Sequence, residues 1–184
     1  MAAWLETARL RLRPFTAADA DLIVRLDADP EVVKYVGGKP TSPEEARDRM
    51  IPHCLAWHAQ GPDRGFWVAE ARADGAFLGW FHFRPPHEPE VPGVELGYRL
   101  VRAAWGQGYA TEGSAGILAK GFGALGVERI CAKTLSANLA SQRVMQKVGL
   151  RYERTFMEPR LDPPAEAVWY AASRGEYERF IKGL

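Results

Sequence analysis

Trp105-Gly106-Gln107-Gly108-Tyr109-Ala110-Thr111-Glu112 stands between a strand-like run and a helix-like run, and its reading decides the rest of the chain. Before it, Val94-Glu95-Leu96-Gly97-Tyr98-Arg99-Leu100 alternates apolar residues with polar or small ones, the period of a strand with one buried face. After it, Ser114, Ile117, Leu118, Gly121, Phe122 and Leu125 recur at helical spacing, and Gly126 is placed to end that helix in a left-handed cap. Two glycines let the chain turn tightly and let a ligand approach the main chain. The first helical turn adds bare N–H groups and partial positive charge. A phosphate meets all three features, so a diphosphate-bearing cofactor is the first expectation.

Two common phosphate loops do not fit. The dinucleotide-binding G-x-G-x-x-G needs a third glycine where Thr111 stands, and the Gly-Lys-Ser/Thr of a Walker A loop does not occur. The stretch instead resembles the Q/R-x-x-G-x-G/A pyrophosphate loop of the GCN5-related N-acetyltransferase (GNAT) superfamily, with Gly108 and Ala110 at its last two defined positions. Trp105 stands where that loop usually has Gln or Arg, and W-G-x-G-Y-A-T-E resembles the form common in the RimJ/RimL-type branch. Asn138-Leu-Ala-Ser141-Gln-Arg-Val144-Met-Gln-Lys-Val148-Gly149-Leu150 is similar to the N-x-x-S-x-R-V/L-x-x-x-G-F/L helix of the same branch. The opening Thr7 to Thr16 and the closing Ala167-Val168-Trp169-Tyr170 also look like that branch's two ends.

At 184 residues the chain fits one domain, 1–184, burying roughly 70% of its unfolded surface. With 47% hydrophobic and 26% charged residues and a net charge of +1, neither disorder nor a nucleic-acid-binding surface is indicated. The N-terminal Met-Ala-Ala-Trp-Leu-Glu lacks the basic and apolar regions of a secretory signal, and no run approaches a membrane span. A soluble cytoplasmic protein is expected. Cys54 and Cys131 are too far apart for a redox pair and read as reduced structural thiols.

Along the chain, Arg9–Pro14 alternates as a strand, and Thr16 with Asp19 reads as a capping pair before a helix through Leu22, Ile23 and Leu26. Asp29-Pro30 starts a short helix. Ser42-Pro43-Glu44-Glu45 starts another that runs to about Gln60, with a kink expected from Pro52. Phe66–Glu70 and Phe77–Phe83 read as strands joined through Ala73-Asp74-Gly75, and the proline-rich 85–93 reads as an exposed loop. Strands follow near Arg129–Thr134, Arg151–Phe156 and Ala167–Ala172. A meander in front and a strand-helix-strand-helix-strand section behind make an α+β fold. The resemblance implies more: a mixed, mostly antiparallel central sheet, splayed near the Val94–Val101 strand to admit the cofactor, with helices on both faces.

The resemblance also implies chemistry. Acetyl-CoA is the expected cosubstrate, with no metal, and it is held by Leu100, Val101, Gly106, Gln107, Gly108, Tyr109, Ala110 and Thr111, and by Asn138 and Ser141. The acetyl group passes directly to a primary amine, of a protein or peptide terminus or of a small molecule such as a polyamine or aminoglycoside. The rival reading is a catalytically idle acyl-CoA-binding or sensory module. A homodimer paired through the terminal strand is compatible with the pattern.

Acyl transfer from a thioester to an amine needs a neutral amine, a polarised carbonyl and a proton for the departing thiolate. Glu95, between apolar Val94 and Leu96, is the candidate base, with a solvated or cross-strand-paired carboxylate as the plain alternative. Glu112 is its rival, though two positions into a helix it is explained by the dipole. Asn138 reads as an N-cap. Ser141 shares a helical face with Val144, Met145 and Val148, where it either back-bonds to its own helix or faces a ligand. Other GNAT branches place a tyrosine acid at the position of Met145, and the resemblance to RimJ/RimL-like members implies Ser141 as its substitute, protonating or hydrogen-bonding the leaving CoA sulfur.

His53, His58, His82 and His87 lack metal-ligand spacing and read as surface or core residues, His82 having a lesser chance of facing the acceptor. Trp57, Trp67, Trp80 and Trp105 belong to the core or to an aromatic acceptor groove. Arg102 and Arg143 are solvated or approach CoA phosphates.

Overall fold

The computed structural model describes residues 3–183. Strands β1 (Leu5–Glu6), β2 (Leu10–Pro14), β3 (Gly65–Ala71), β4 (Phe77–Arg84) and β5 (Val94–Leu100) form an antiparallel meander. Strands β6 (Arg129–Leu135), β7 (Arg151–Glu158) and β8 (Ala165–Ser173) complete an eight-stranded sheet in the order β1-β2-β3-β4-β5-β6-β8-β7. Every junction is antiparallel except β5 with β6. The α+β, mostly antiparallel architecture expected from the sequence is what the chain adopts.

Helices cover both faces. On one side lie α1 (Ala20–Asp27), α2 (Pro30–Val33), α3 (Pro43–Glu45) and α4 (Ile51–Gln60), whose Ile23, Ile51 and Cys54 pack with Phe15 against Val68. On the other lies α5 (Tyr109–Phe122), which sets Ile117, Leu118 and Phe122 against Trp67, Phe81, Phe83 and Leu96. Its small residues allow close docking: a Cβ on Gly113 would stand 2.4 Å from the Phe81 ring. Helix α6 (Leu139–Lys147) buries Met145 in the same core, and α7 (Arg174–Lys182) closes the chain.

Four details depart from the sequence expectations. Helix α5 stops at Phe122 rather than reaching Leu125, because glycines at 121 and 123 weaken its last turn and Gly123 leaves helical space at φ −81°, ψ −90°. The Pro52 kink takes the form of a π-helical stretch, Ala46–Met50, between α3 and α4. Pro52 has no N–H for the Asp48 carbonyl, and the widened turn absorbs that loss. Helix α7 was not anticipated, although Ser173-x-x-Glu176 is a capping box in which both reciprocal bonds form. Lastly, the terminal strand β8 lies between β6 and β7, so its backbone is already paired on both sides. It is not the strand through which a second copy pairs.

Candidate active site

Strands β5 and β6 stay in register for two residue pairs, Val94 with Ile130 and Glu95 with Cys131, and then diverge. Beyond Glu95 the sheet forks. The Val101 N–H donates to the Leu78 carbonyl at 3.0 Å, so by alternation the main-chain groups of Leu96, Tyr98 and Leu100 face the fork instead of β4. A cleft of about 1180 Å³ occupies the fork and runs through the sheet from the α5–α6 side to the α1–α4 side. An extended chain carrying amide groups fits the unpaired strand edge of such a fork.

At one mouth of the cleft sits the glycine turn. Gly106 and Gly108 hold φ of +73° and +83°, conformations that L side chains resist. Gly108 is the N-cap of α5, and Tyr109, Ala110 and Thr111 form its first turn on the cleft wall. Trp105, 44% exposed, fixes the turn by donating its indole N–H to the Leu100 carbonyl at 2.9 Å. A tryptophan at this position therefore serves the loop's conformation. Of the expected cofactor residues, Leu100, Gly106, Gly108, Tyr109, Ala110, Thr111, Asn138 and Ser141 line the cleft, whereas Val101 and Gln107 do not. The Val101 N–H is taken by Leu78, and the Gln107 side chain turns back to the Ala103 carbonyl at 2.6 Å.

Glu95 is 4% exposed, at the crotch of the fork. Burial pushes its carboxyl above the ordinary range, and the neighbouring Arg84 guanidinium opposes this without cancelling it. Arg84 is itself lowered, chiefly by burial. The two approach to 3.6 Å, outside good hydrogen-bond distance, and Glu95 Oε2 has no hydrogen-bond partner among the described residues. His82 Nε2 lies 3.8 Å from Glu95 Oε1. Burial first, then Arg84, holds the imidazole neutral, well below its usual pKa. Gly97 makes room for that ring, since a Cβ there would stand 2.5 Å from Nε2. His82 thus faces the cleft beside Glu95, and Trp80 and Arg84, at the same strand period, share its wall.

On the opposite side, Asn138 accepts the Ser141 N–H at 3.2 Å as the N-cap of α6. The Tyr98 hydroxyl donates to Ser141 Oγ at 3.3 Å. Burial raises the Tyr98 pKa, which keeps the phenol protonated. The sequence reading passed over Tyr98, although its place between Leu96 and Leu100 on the inward period of β5 marked it as a hydroxyl sent among apolar residues. Met145 is buried below Ser141 and offers no proton.

The remaining candidates separate cleanly. Glu112 receives the Thr7 hydroxyl at 2.6 Å, the Arg9 N–H at 2.7 Å and the Arg9 Nε at 2.7 Å. Burial would raise its pKa, but these bonds outweigh it and hold the carboxyl low. It ties the N-terminal hairpin to α5. Trp67 is core, stacked on Trp4 at 3.7 Å, while Trp80 and Trp105 line the cleft. His53 accepts from Trp57 at 3.3 Å, and His58 bonds the Phe66 carbonyl at 2.7 Å. Arg102 pairs with Asp29 at 3.1 Å, whereas Arg143 lines the cleft. Cys54 and Cys131 are buried, unpaired, and pushed by burial up to about 12. A polar wall that the sequence reading missed closes the far end: Lys133 joins Glu88 at 2.6 Å and Glu158 at 2.7 Å, and Arg160 joins the same two acids.

Several proteins similar to this chain carry acetyltransferase names. A family model described as "Acetyltransferase (GNAT) domain" matches residues 9–151. FsC-acetyl coenzyme A-N(2)-transacetylase of Aspergillus fumigatus is 34% identical over 191 residues, covering 97% of this chain and 79% of that protein. An acetyltransferase (GNAT family) structure from Bacillus anthracis superposes with a TM-score of 0.78 at 22% identity, covering 93% of this chain and 98% of the other. The aminoglycoside acetyltransferase AAC(6′)-Ib, solved in complex with coenzyme A, superposes with a TM-score of 0.75 at 19% identity, covering 92% and 98%.

Proposed function

This chain belongs to the GNAT acetyltransferases, and from that premise we propose that it moves an acetyl group from acetyl-CoA directly to a primary amine, with Glu95 as base and Ser141 as proton donor. Acetyl-CoA supplies the thioester that reacts. The unpaired edge of β5, the Gly106–Thr111 turn, Asn138 and the N-terminus of α5 are suited to hold its amide-bearing arm and its diphosphate. The observation that carries the reading is Glu95: a buried carboxylate with an unpartnered oxygen, placed where the fork opens.

In this reading the acceptor enters from the α1–α4 side, and Glu95, alone or through a water, takes a proton from its ammonium or from the attacking nitrogen. The raised pKa makes it a better base than a surface carboxylate. From the α5–α6 side, Ser141 gives its proton to the leaving sulfur as it takes the one that the Tyr98 hydroxyl donates to it, and solvent returns a proton to the phenol once CoA has left. The loop and the Asn138–Leu150 helix support a RimJ/RimL-type enzyme built as one domain over 1–184, and two buried thiols suit a reducing, cytoplasmic setting. A homodimer remains part of the proposal, without β8 as its seam.

Release of free CoA from acetyl-CoA, followed across amines and peptide termini, tests the function. Amine-dependent release with formation of the N-acetyl product is the expected result. CoA binding without turnover on any acceptor would instead identify an idle acyl-CoA-binding module.

A further inference from the structure

The charges lining the cleft are unequal. Seven lysines and arginines line it, against three acids, Glu31, Glu95 and Glu158. Each acid has a basic neighbour already: Glu31 has Lys34 at 3.4 Å, Glu158 has Lys133 at 2.7 Å and Arg160 at 2.9 Å, and Glu95 has Arg84 at 3.6 Å. Arg143 and Lys147, on α6, lie on the cofactor side, where an anionic cofactor answers their charge. On the acceptor side Glu31 and Glu158 are already held by bases, so among the described cleft-lining acids a polycation finds Glu95 open for one ammonium and no free carboxylate for the next.

Arg84 differs from the other bases of that side. Arg99 is bonded to Asp27 at 2.5 Å, Arg49 is paired with Glu45, and Lys133 and Arg160 share Glu88 and Glu158. Arg84, 4% exposed, donates to the Pro85 carbonyl at 2.7 Å but comes only within 3.6 Å of a carboxylate, and its Nε, like that of Arg99, has no partner among the described residues. A buried guanidinium with spare donors calls for a planar oxygen acceptor. Beside it are Glu95 Oε2 and His82 Nε2, both without a hydrogen-bond partner among the described residues.

We propose that the acceptor is a primary amine whose neighbouring carbon carries a carboxylate or an acyl carbonyl, with Arg84 reading that oxygen while Glu95 faces the nitrogen. This rests on the acetyl-transfer reading for its chemistry, though not for the binding preference. Free amino acids and peptide termini share the required group, and polyamines and aminoglycosides lack it as a class.

The test measures kcat/KM at saturating acetyl-CoA for L-alanine, L-alanylglycine, isopropylamine, spermidine and kanamycin. One of the first two should lead isopropylamine and both polycations by about tenfold or more, the scale of a charge-assisted hydrogen bond. L-alanine leading identifies a free amino acid, and the dipeptide a chain terminus. Arg84→Gln should bring the leader's advantage over isopropylamine to within about threefold, and Arg84→Lys should keep part of it. A polycation in the lead, or an advantage unchanged in Arg84→Gln, overturns the proposal. If no amine is acetylated, the same compounds are titrated calorimetrically into the CoA-loaded protein. Tighter binding of L-alanine or the dipeptide than of isopropylamine, lost in Arg84→Gln, then upholds the acceptor class while acetyl transfer falls. Equal binding overturns it.

Discussion

The Tyr98 hydroxyl donates to Ser141 Oγ across the fork, so the strand on one side of the cleft and the helix on the other meet through a hydrogen bond. Having accepted that hydrogen bond, Ser141 keeps its own proton for a ligand. Ser141→Ala should lower kcat more than about tenfold while KM for acetyl-CoA moves little, since the interaction strengthens mainly as the thiolate departs. Stability should fall by about 1 kcal/mol, the net worth of one hydrogen bond. Tyr98→Phe leaves the serine hydroxyl but frees its orientation, and a smaller drop in kcat is expected. Steady-state kinetics and urea melts check both, and unchanged constants in Ser141→Ala would remove it from the chemistry.

Glu95→Gln should lower kcat by roughly 10² to 10⁴-fold with CoA affinity nearly intact. Because the Glu95 pKa is raised, the rate should climb with pH along a limb lying above the ordinary carboxylate value of 4.5, and that limb should vanish in the variant. The sign for stability is the reverse. A raised folded pKa means that folding favours the neutral acid, a contribution complete below 4.5 and lost as pH rises through the folded value. Glu95→Gln should therefore melt higher than the parent at neutral pH, which a thermal scan at two pH values decides.

Glu112→Gln should leave the pH–rate profile where it is, because its carboxylate is occupied by Thr7 and Arg9. The cost should fall on stability, roughly 1–3 kcal/mol for a charge-assisted cluster. Denaturant unfolding measures that loss, and a shifted acidic limb in this variant would make Glu112 the base.

CoA or acetyl-CoA should raise the melting temperature in proportion to the logarithm of its concentration, with ATP and NAD doing much less. Gly108→Val should weaken that shift by placing a branched side chain at φ +83° in the turn, a conformation it resists. A variant binding CoA as tightly as the parent would displace the site from the Gly106–Thr111 turn.

Acid should unfold the protein in a particular window. Hydrogen bonding from Arg160 holds Glu158 down at about 2, against burial, and Asp19 and Glu70 are also lowered despite burial by their bonds to Arg13. Depressed carboxylates contribute fully above their unfolded values and lose that contribution as pH falls toward the folded ones. Stability should thus decline from about pH 4.5 downward, and Glu158→Gln should flatten that decline. Melts between pH 2 and 5 provide the check.

Local pattern carried much of this in the sequence. The strand-turn-helix at 94–122 and the alternation of β2 and β5 were legible because burial on one face writes a period of two into the residues, and β3 and β4 were legible through the hairpin turn between them. Glu95 between two apolar neighbours was legible for the same reason. The acceptor wall was not, because Arg84, Lys133 and the Glu158–Arg160 pair come from three segments that only the tertiary fold brings together. Tyr98 was hidden differently, since its meaning depends on Ser141, 43 residues away. The strand order also escaped, because nothing local tells β8 to enter between β6 and β7.

That insertion has a consequence for how the chain is born. During synthesis the meander from β1 to β5 emerges first, and each of its strands pairs with the strand that follows it in the chain. Strand β7 leaves the ribosome with its eventual partner still unmade, and β6 has two register pairs to lean on. Until residue 173 has been translated, the back half of the sheet lacks its central strand, so the fork that holds the cleft is assembled last. A nascent chain stalled short of β8 would carry a folded front and no functional site.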